Sequence, residues 1–317
     1  MVGRVRRMIS ALLGAILVTA GQSITTPPAS AAPPPFVTVL FARSQWSVHG
    51  RCNVLPGAIT LERVASDLAA RGGIGTGSVV TGQIRESAIN CTAAALYPSW
   101  DMLRRLHIDH GWEATSHSAT HRNITLLGRE AQLAESCGTL PTFESHGFDR
   151  AWGLFSYPNN KRSVEIQTEV ISRCFAYGRR YSPNPNSVAR MAAPWWGNVR
   201  PVNGGACNVA SAPCSTVDTR FRYQNPFAIA NLVKVVAGQW AVVHFHKLVA
   251  GTKLSGVVRW DCSASDWRLH FTNRTEVYCW NDYQRILNAI PDAAIVTDPA
   301  TVARAWGSNP RVLQLHP

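Results

Sequence analysis

The sequence predicts an α/β protein, a distorted (β/α) barrel of about seven parallel strands in a single domain. Apolar runs of strand length alternate with helix-like stretches from one end of the chain to the other. Strict alternation of this kind sets strands side by side in parallel with helices outside them. Beyond residue 31 no repeat, low-complexity block or Pro/Gly/Ser linker interrupts the chain, so about 285 residues can share one core.

In chain order, strands are expected at 37–42, 78–84, 112–116, 151–157, 174–181, 240–246 and 293–297, each short and rich in β-branched or aromatic residues. The first helix follows Thr60-Leu61-Glu62 and covers 64–70, with Thr60 as its N-cap and Gly72-Gly73 as its stop. The glycine-rich run from Gly72 to Gly77 reads as a turn, because it lacks the Lys-Ser/Thr of a phosphate-binding loop. Ser99 caps a helix at 100–106, and further helices are expected at 126–137, 163–172, 226–236, 283–289 and 299–306. The stretch 182–225 breaks the rhythm with five prolines, paired tryptophans and two cysteines, and reads as a loop-rich, disulfide-stapled insertion near the barrel mouth.

Residues 1–31 have the form of a secretory signal peptide: Arg4, Arg6 and Arg7, an apolar run of about twelve residues, then Ala29-Ser30-Ala31. That run is too short to span a bilayer, and no later segment reaches the roughly 18 apolar residues a membrane span needs. The expected location is outside the cytoplasm, secreted or cell-wall associated. Eight cysteines, with no Cys-x-x-Cys pair, then read as disulfides whose connectivity the spacing leaves open. The net charge is +12, and without the three leader arginines it is +9. Nothing resembles a nucleic-acid recognition motif. An anionic cell-wall polymer is a partner the charge would suit. The densest basic pairs, Lys161-Arg162 and Arg179-Arg180, read as solvated surface.

The chemistry concentrates in His117-Ser118-Ala119-Thr120-His121. Histidines four apart on a helical turn face one way and can grip one divalent ion. The surrounding block, Gly111-Trp112-Glu113-Ala114-Thr115-Ser116 running into His117 and His121, resembles the polysaccharide deacetylases (NodB homology domain, carbohydrate esterase family 4). The resemblance extends in register from about 36 to 306. Ser78-Val79-Val80-Thr81-Gly82 looks like the family's second strand, and Phe155-Ser156-Tyr157-Pro158 sits where relatives carry a groove motif. His244-Phe245-His246 looks like the late strand that delivers a general-acid histidine.

This resemblance implies metal-dependent removal of N-acetyl groups from an extracellular or cell-wall polysaccharide. It implies His117 and His121 as ligands to a divalent metal, zinc first among candidates, and His246 as the catalytic acid. Tyr157 and Pro158 would contact the glycan, and Trp195-Trp196 offers a flat platform for sugar rings. The family's paired aspartates would fall at Ala42 and Arg43, which can neither ligate nor accept a proton. That departure leaves a second reading, a catalytically inactive descendant that binds glycan. A rebuilt site would draw on His49, Glu113 or His244.

Overall fold

A computed structural model describes residues 32–42, 57–84, 98–179, 186–187, 198–199, 226–254, 259–266, 277–307 and 310–316. All of them belong to one compact unit, Ala32–Pro317. The leader, Arg43, His49, Trp195-Trp196 and Cys52, Cys91, Cys207 and Cys214 lie outside the described residues, as does most of 182–225.

The elements run β1 (Phe36–Ala42), α1 (Leu61–Ala70), β2 (Gly75–Val79), α2 (Trp100–His110), β3 (Glu113–Ser116), α3 (Arg129–Glu135), α4 (Leu140–Ser145), β4 (Leu154–Ser156), α5 (Val164–Glu169) and β5 (Tyr177–Arg179). Two short strands, β6 (Asn186–Ser187) and β7 (Asn198–Val199), precede α6 (Pro226–Leu232) and β8 (Gln239–Phe245). Small strands β9 (Lys247–Val249), β10 (Thr252–Leu254), β11 (Arg259–Asp261) and β12 (Val277–Cys279) lead to α7 (Trp280–Asn288), β13 (Ile295–Val296), α8 (Pro299–Trp306) and α9 (Pro310–Leu315).

The main sheet has the order β6-β8-β1-β2-β3-β4-β5-β7, with β13 also on β1, and every pairing is parallel except β6 with β8. From β8 to β5 is five strand steps, about 24 Å across a flat sheet. Yet the Trp240 and Tyr177 rings, one on each of those strands, have centroids only 5.0 Å apart. The sheet therefore curls back on itself, and the fold is the expected distorted (β/α) barrel.

Register assigns the faces. Trp240, Val242 and His244 stand level with Phe36, Thr38 and Leu40, and Tyr177 and Arg179 level with Leu154 and Ser156. These residues, with Thr76 and Ser78 and with Glu113 and Thr115, share the inner face. The opposite face carries Phe41 and Phe245, stacked at 5.5 Å and covered by Tyr283 of α7.

Local chemistry caps α1 and α2 where the sequence placed their starts, although α2 runs on to His110, past the expected 106. Thr60 accepts from the Arg63 N–H at 3.2 Å and Ser99 from the Met102 N–H at 3.3 Å, and Gly111 closes α2 in the left-handed conformation. The glycine-rich run departs from expectation. Only Gly72 turns, at φ 73°, whereas Gly75–Val79 is β2 itself and residues Thr81–Gln83 form a 3-10 turn. The glycine serves packing, since a Cβ at Gly75 would overlap the Trp112 ring. The expected strand at 151–157 shortens to Leu154–Ser156 between 3-10 turns at Ala151–Gly153 and Pro158–Asn160, and within the described part of 174–181 the strand is Tyr177–Arg179. Two disulfides occur among the described residues, Cys137–Cys174 and Cys262–Cys279. No described helix is long and apolar enough to cross a membrane.

Candidate active site

The parallel strands end together at one mouth, the usual place for chemistry in a (β/α) barrel. His117 follows β3 immediately, Ser156 ends β4, Arg179 ends β5, and His246 follows β8.

His117 is buried, and its Nδ1 lies 2.7 Å from the Ser156 carbonyl oxygen. A carbonyl only accepts, so Nδ1 carries the proton and the Nε2 lone pair faces the mouth. That is the orienting bond a metal-ligating imidazole requires. His121 Nε2 stands 3.2 Å from His117 Nε2. Two nitrogens each 2.0–2.1 Å from one ion, at this separation, subtend about 100°, close to the tetrahedral angle. The pair thus has the bite of two zinc ligands.

A helical turn does not bring them together, contrary to the expectation from their spacing. Ser118 (φ 73°) and His121 (φ 65°) both sit in the left-handed region, so the segment is a tight loop. Side chains hold it there. Ser118 Oγ accepts the His121 N–H at 2.8 Å and Ser116 Oγ the Ser118 N–H at 3.2 Å. Glu135, buried at the end of α3, takes the Thr120 N–H at 2.9 Å on one carboxylate oxygen and the Thr120 hydroxyl on the other, while its carbonyl accepts from the Ala119 N–H. On the far side the Gly82 N–H donates to the Ala119 carbonyl at 2.8 Å, and a Cβ there would come within 2.7 Å of that oxygen. Cys137, two residues beyond Glu135, is tied to Cys174 just before β5. Glu135 escaped the sequence reading because nothing local marks a carboxylate 14 residues away as a loop brace.

His244 lies on the inner face of β8 and is fully buried, its ring centroid 4.4 Å from that of His246. Burial, and then the positive charges of Arg179, His246 and His117, hold its pKa well below the ordinary imidazole value. Arg179 itself is only 3% exposed. Reading the Arg179-Arg180 pair as solvated surface fails at Arg179, because β5 register turns it into the barrel. Among the described residues, the buried hydroxyls of Ser78 and Ser156 have no hydrogen-bond partner.

Glu113 cannot rebuild the ligand set. It opens β3 while His117 lies one residue past its end, about 13 Å along an extended chain. It sits instead at the barrel floor, 3.6 Å from His107 Nδ1 and 3.9 Å from Arg150, which also binds Asp298 at 3.0 Å. Ala42 ends β1 in register with Ser78, and among the described residues no cluster of three or more His, Cys, Asp or Glu could hold a metal. Tyr157 and Pro158 are both buried; the Tyr157 ring lies over Gly178 and edge-on to Phe155, in the layer beneath the helices.

No family model and no curated protein matches the chain. Solved structures do. The chitin deacetylase of the fungal pathogen Colletotrichum lindemuthianum shares 14% identity over 90% of this chain and 93% of its own, with a TM-score of 0.44. The peptidoglycan deacetylase PdaC of Bacillus subtilis shares 12% over 89% and 96%, TM-score 0.43. A family 4 carbohydrate esterase of Streptomyces lividans shares 14% over 68% and 80%, TM-score 0.36.

Proposed function

We propose that this protein hydrolyses N-acetyl groups on an extracellular or cell-wall polysaccharide, with a divalent ion, zinc by preference, held by His117 and His121. The observation that supports this most is the 3.2 Å Nε2–Nε2 separation combined with the His117 Nδ1 bond to Ser156. When bound, the ion supplies Lewis-acid polarisation of the acetamide carbonyl. His117 and His121 would turn their lone pairs on the ion, the Ser156 carbonyl holding the His117 ring and the Glu135-braced loop holding the His121 backbone. His246, beyond the last residue of β8, protonates the leaving amine. Neutral, buried His244 packs beside it and limits its rotation. Pro158 and Tyr157 shape the wall behind β4, and Trp195-Trp196 would carry sugar rings. The leader and the disulfides support a secreted or wall-associated location.

A second reading, a glycan-binding descendant without catalysis, is favoured by one observation. β1 ends in Ala42, and among the described residues no carboxylate joins His117 and His121 as a third ligand.

Metal analysis of the purified protein, with acetate release from acetylated chitooligosaccharides and peptidoglycan fragments, separates the two. Hydrolysis predicts about one equivalent of metal, lost in His117→Ala, and acetate release lost in both His117→Ala and His246→Ala. Stoichiometric metal without acetate from any glycan would sink the deacetylase reading. Glycan binding by a metal-free protein would establish the second.

A further inference from the structure

The geometry points to a second binding site, for an acidic polysaccharide, in the groove between α6 and α7 on the outside of the barrel. The groove is an open, shallow depression of about 700 Å3. It is lined from both helices by Phe227, Lys234, Asn281, Gln284, Arg285 and Asn288 among others, and none of its nine lining residues is acidic.

The groove is organised as well as polar. The Arg285 guanidinium lies over the half-exposed Phe227 ring, 4.5 Å from its centroid, which fixes a cation and an apolar face side by side. Beneath them Arg71 donates to Asn288 Oδ1 at 2.8 Å and to Gln284 Oε1, and Gln284 Nε2 donates to Asp67 at 3.0 Å. The bond from Arg71 fixes which way the Asn288 amide points. Lys234 adds a second cation at the rim. A wall of amides and two cations with no carboxylate suits a ligand that is polar and negatively charged. The Phe227 ring suits the C–H face of a sugar, so the occupant is a uronate- or phosphate-bearing glycan. The choice of a sugar polymer rests on the glycan reading of the mouth; the charge selectivity does not. Such a groove would hold the chain against an anionic matrix while the mouth works elsewhere on it.

The test is binding of the full-length mature chain to polygalacturonate, to a poly(glycerol phosphate) and to neutral dextran, by calorimetry at low and high salt. Binding to one or both acidic polymers, weakened by salt and not shared by dextran, is expected. It should fall about tenfold in Lys234→Ala/Arg285→Ala and stay within about twofold in Arg105→Ala/Arg173→Ala, which removes equal charge from other exposed positions. His117→Ala should bind as the parent does, which separates this groove from the mouth whatever becomes of catalysis. Circular dichroism checks that each variant folds, and Arg285→Lys serves if the double variant does not. Absence of binding to either acidic polymer, equal binding to dextran, equal loss in the two double variants, or loss in His117→Ala would each overturn the proposal.

Discussion

His117 Nε2 and His121 Nε2 face each other at 3.2 Å across a loop in which Ser118 and His121 itself are both left-handed. The two nitrogens keep this separation only while the loop keeps its shape, and under the proposed function both would turn their lone pairs on one ion. Removing either ring leaves a single protein nitrogen there. His121→Ala is expected to weaken zinc binding by more than about 100-fold, measured by competition with a chromogenic chelator, with little change in thermal stability. Unchanged affinity would exclude the pair as a metal grip.

Glu135 reaches the same loop from α3. Glu135→Ala removes both side-chain bonds to Thr120 and is expected to lower stability by about 1–3 kcal/mol in urea unfolding. It should also weaken metal binding by about 10–100-fold, although the carboxylate touches no ligand. Glu135→Gln keeps an acceptor and should recover part of both losses. A stability loss with metal affinity unchanged would mean that the loop does not position the histidines.

The close packing of β2 on β3 gives a purely steric prediction. Gly75→Ala drives a methyl into the Trp112 ring and is expected to destabilise by about 1–3 kcal/mol. Gly138→Ala, where the only neighbour within 4 Å of a Cβ is the Leu133 carbonyl oxygen at an ordinary 3.6 Å, is the control and should cost less than about 0.5 kcal/mol. Equal midpoints in urea would contradict the packing.

Glu113 gives a pH prediction with an unusual sign. Burial, reinforced by the nearby Asp298 and opposed by Arg150, raises its pKa from the ordinary 4.5 to about 8. The folded state therefore holds a proton that the unfolded state releases earlier. Its contribution to stability is greatest below about pH 4.5, declines as pH rises to about 8, and is constant beyond. Glu113→Gln should remove that decline, so the variant gains on the parent steadily between pH 4.5 and 8 in thermal melts. A constant difference between the two would show that Glu113 is ionised throughout.

Much of the fold was legible because its signals are local. Thr60 and Ser99 cap their helices through bonds spanning three residues, and 299–306 needs only its Asp-Pro start and Gly307 stop. The beginning of β2 was misread because glycine looks the same in a turn and under a tryptophan 37 positions away. The candidate site divides along the same line. His117 and His121 stood out by residue type and spacing, yet the conformation that joins them was inferred wrongly, because i,i+4 spacing fits a helix and a braced loop equally well.

By itself the sequence determined the order and class of the elements, the helix caps, the histidine pair and the absence of an acid at Ala42. Tertiary structure alone decided that Glu113 sits at the floor and His117 at the mouth of one strand, that Arg179 is buried rather than solvated, and that Glu135 braces the loop. The reason is physical: strand register and barrel closure set which end and which face a side chain occupies. Those are properties of pairings between β8, β1, β2, β3, β4 and β5, which lie far apart in sequence and come together only when the sheet curls.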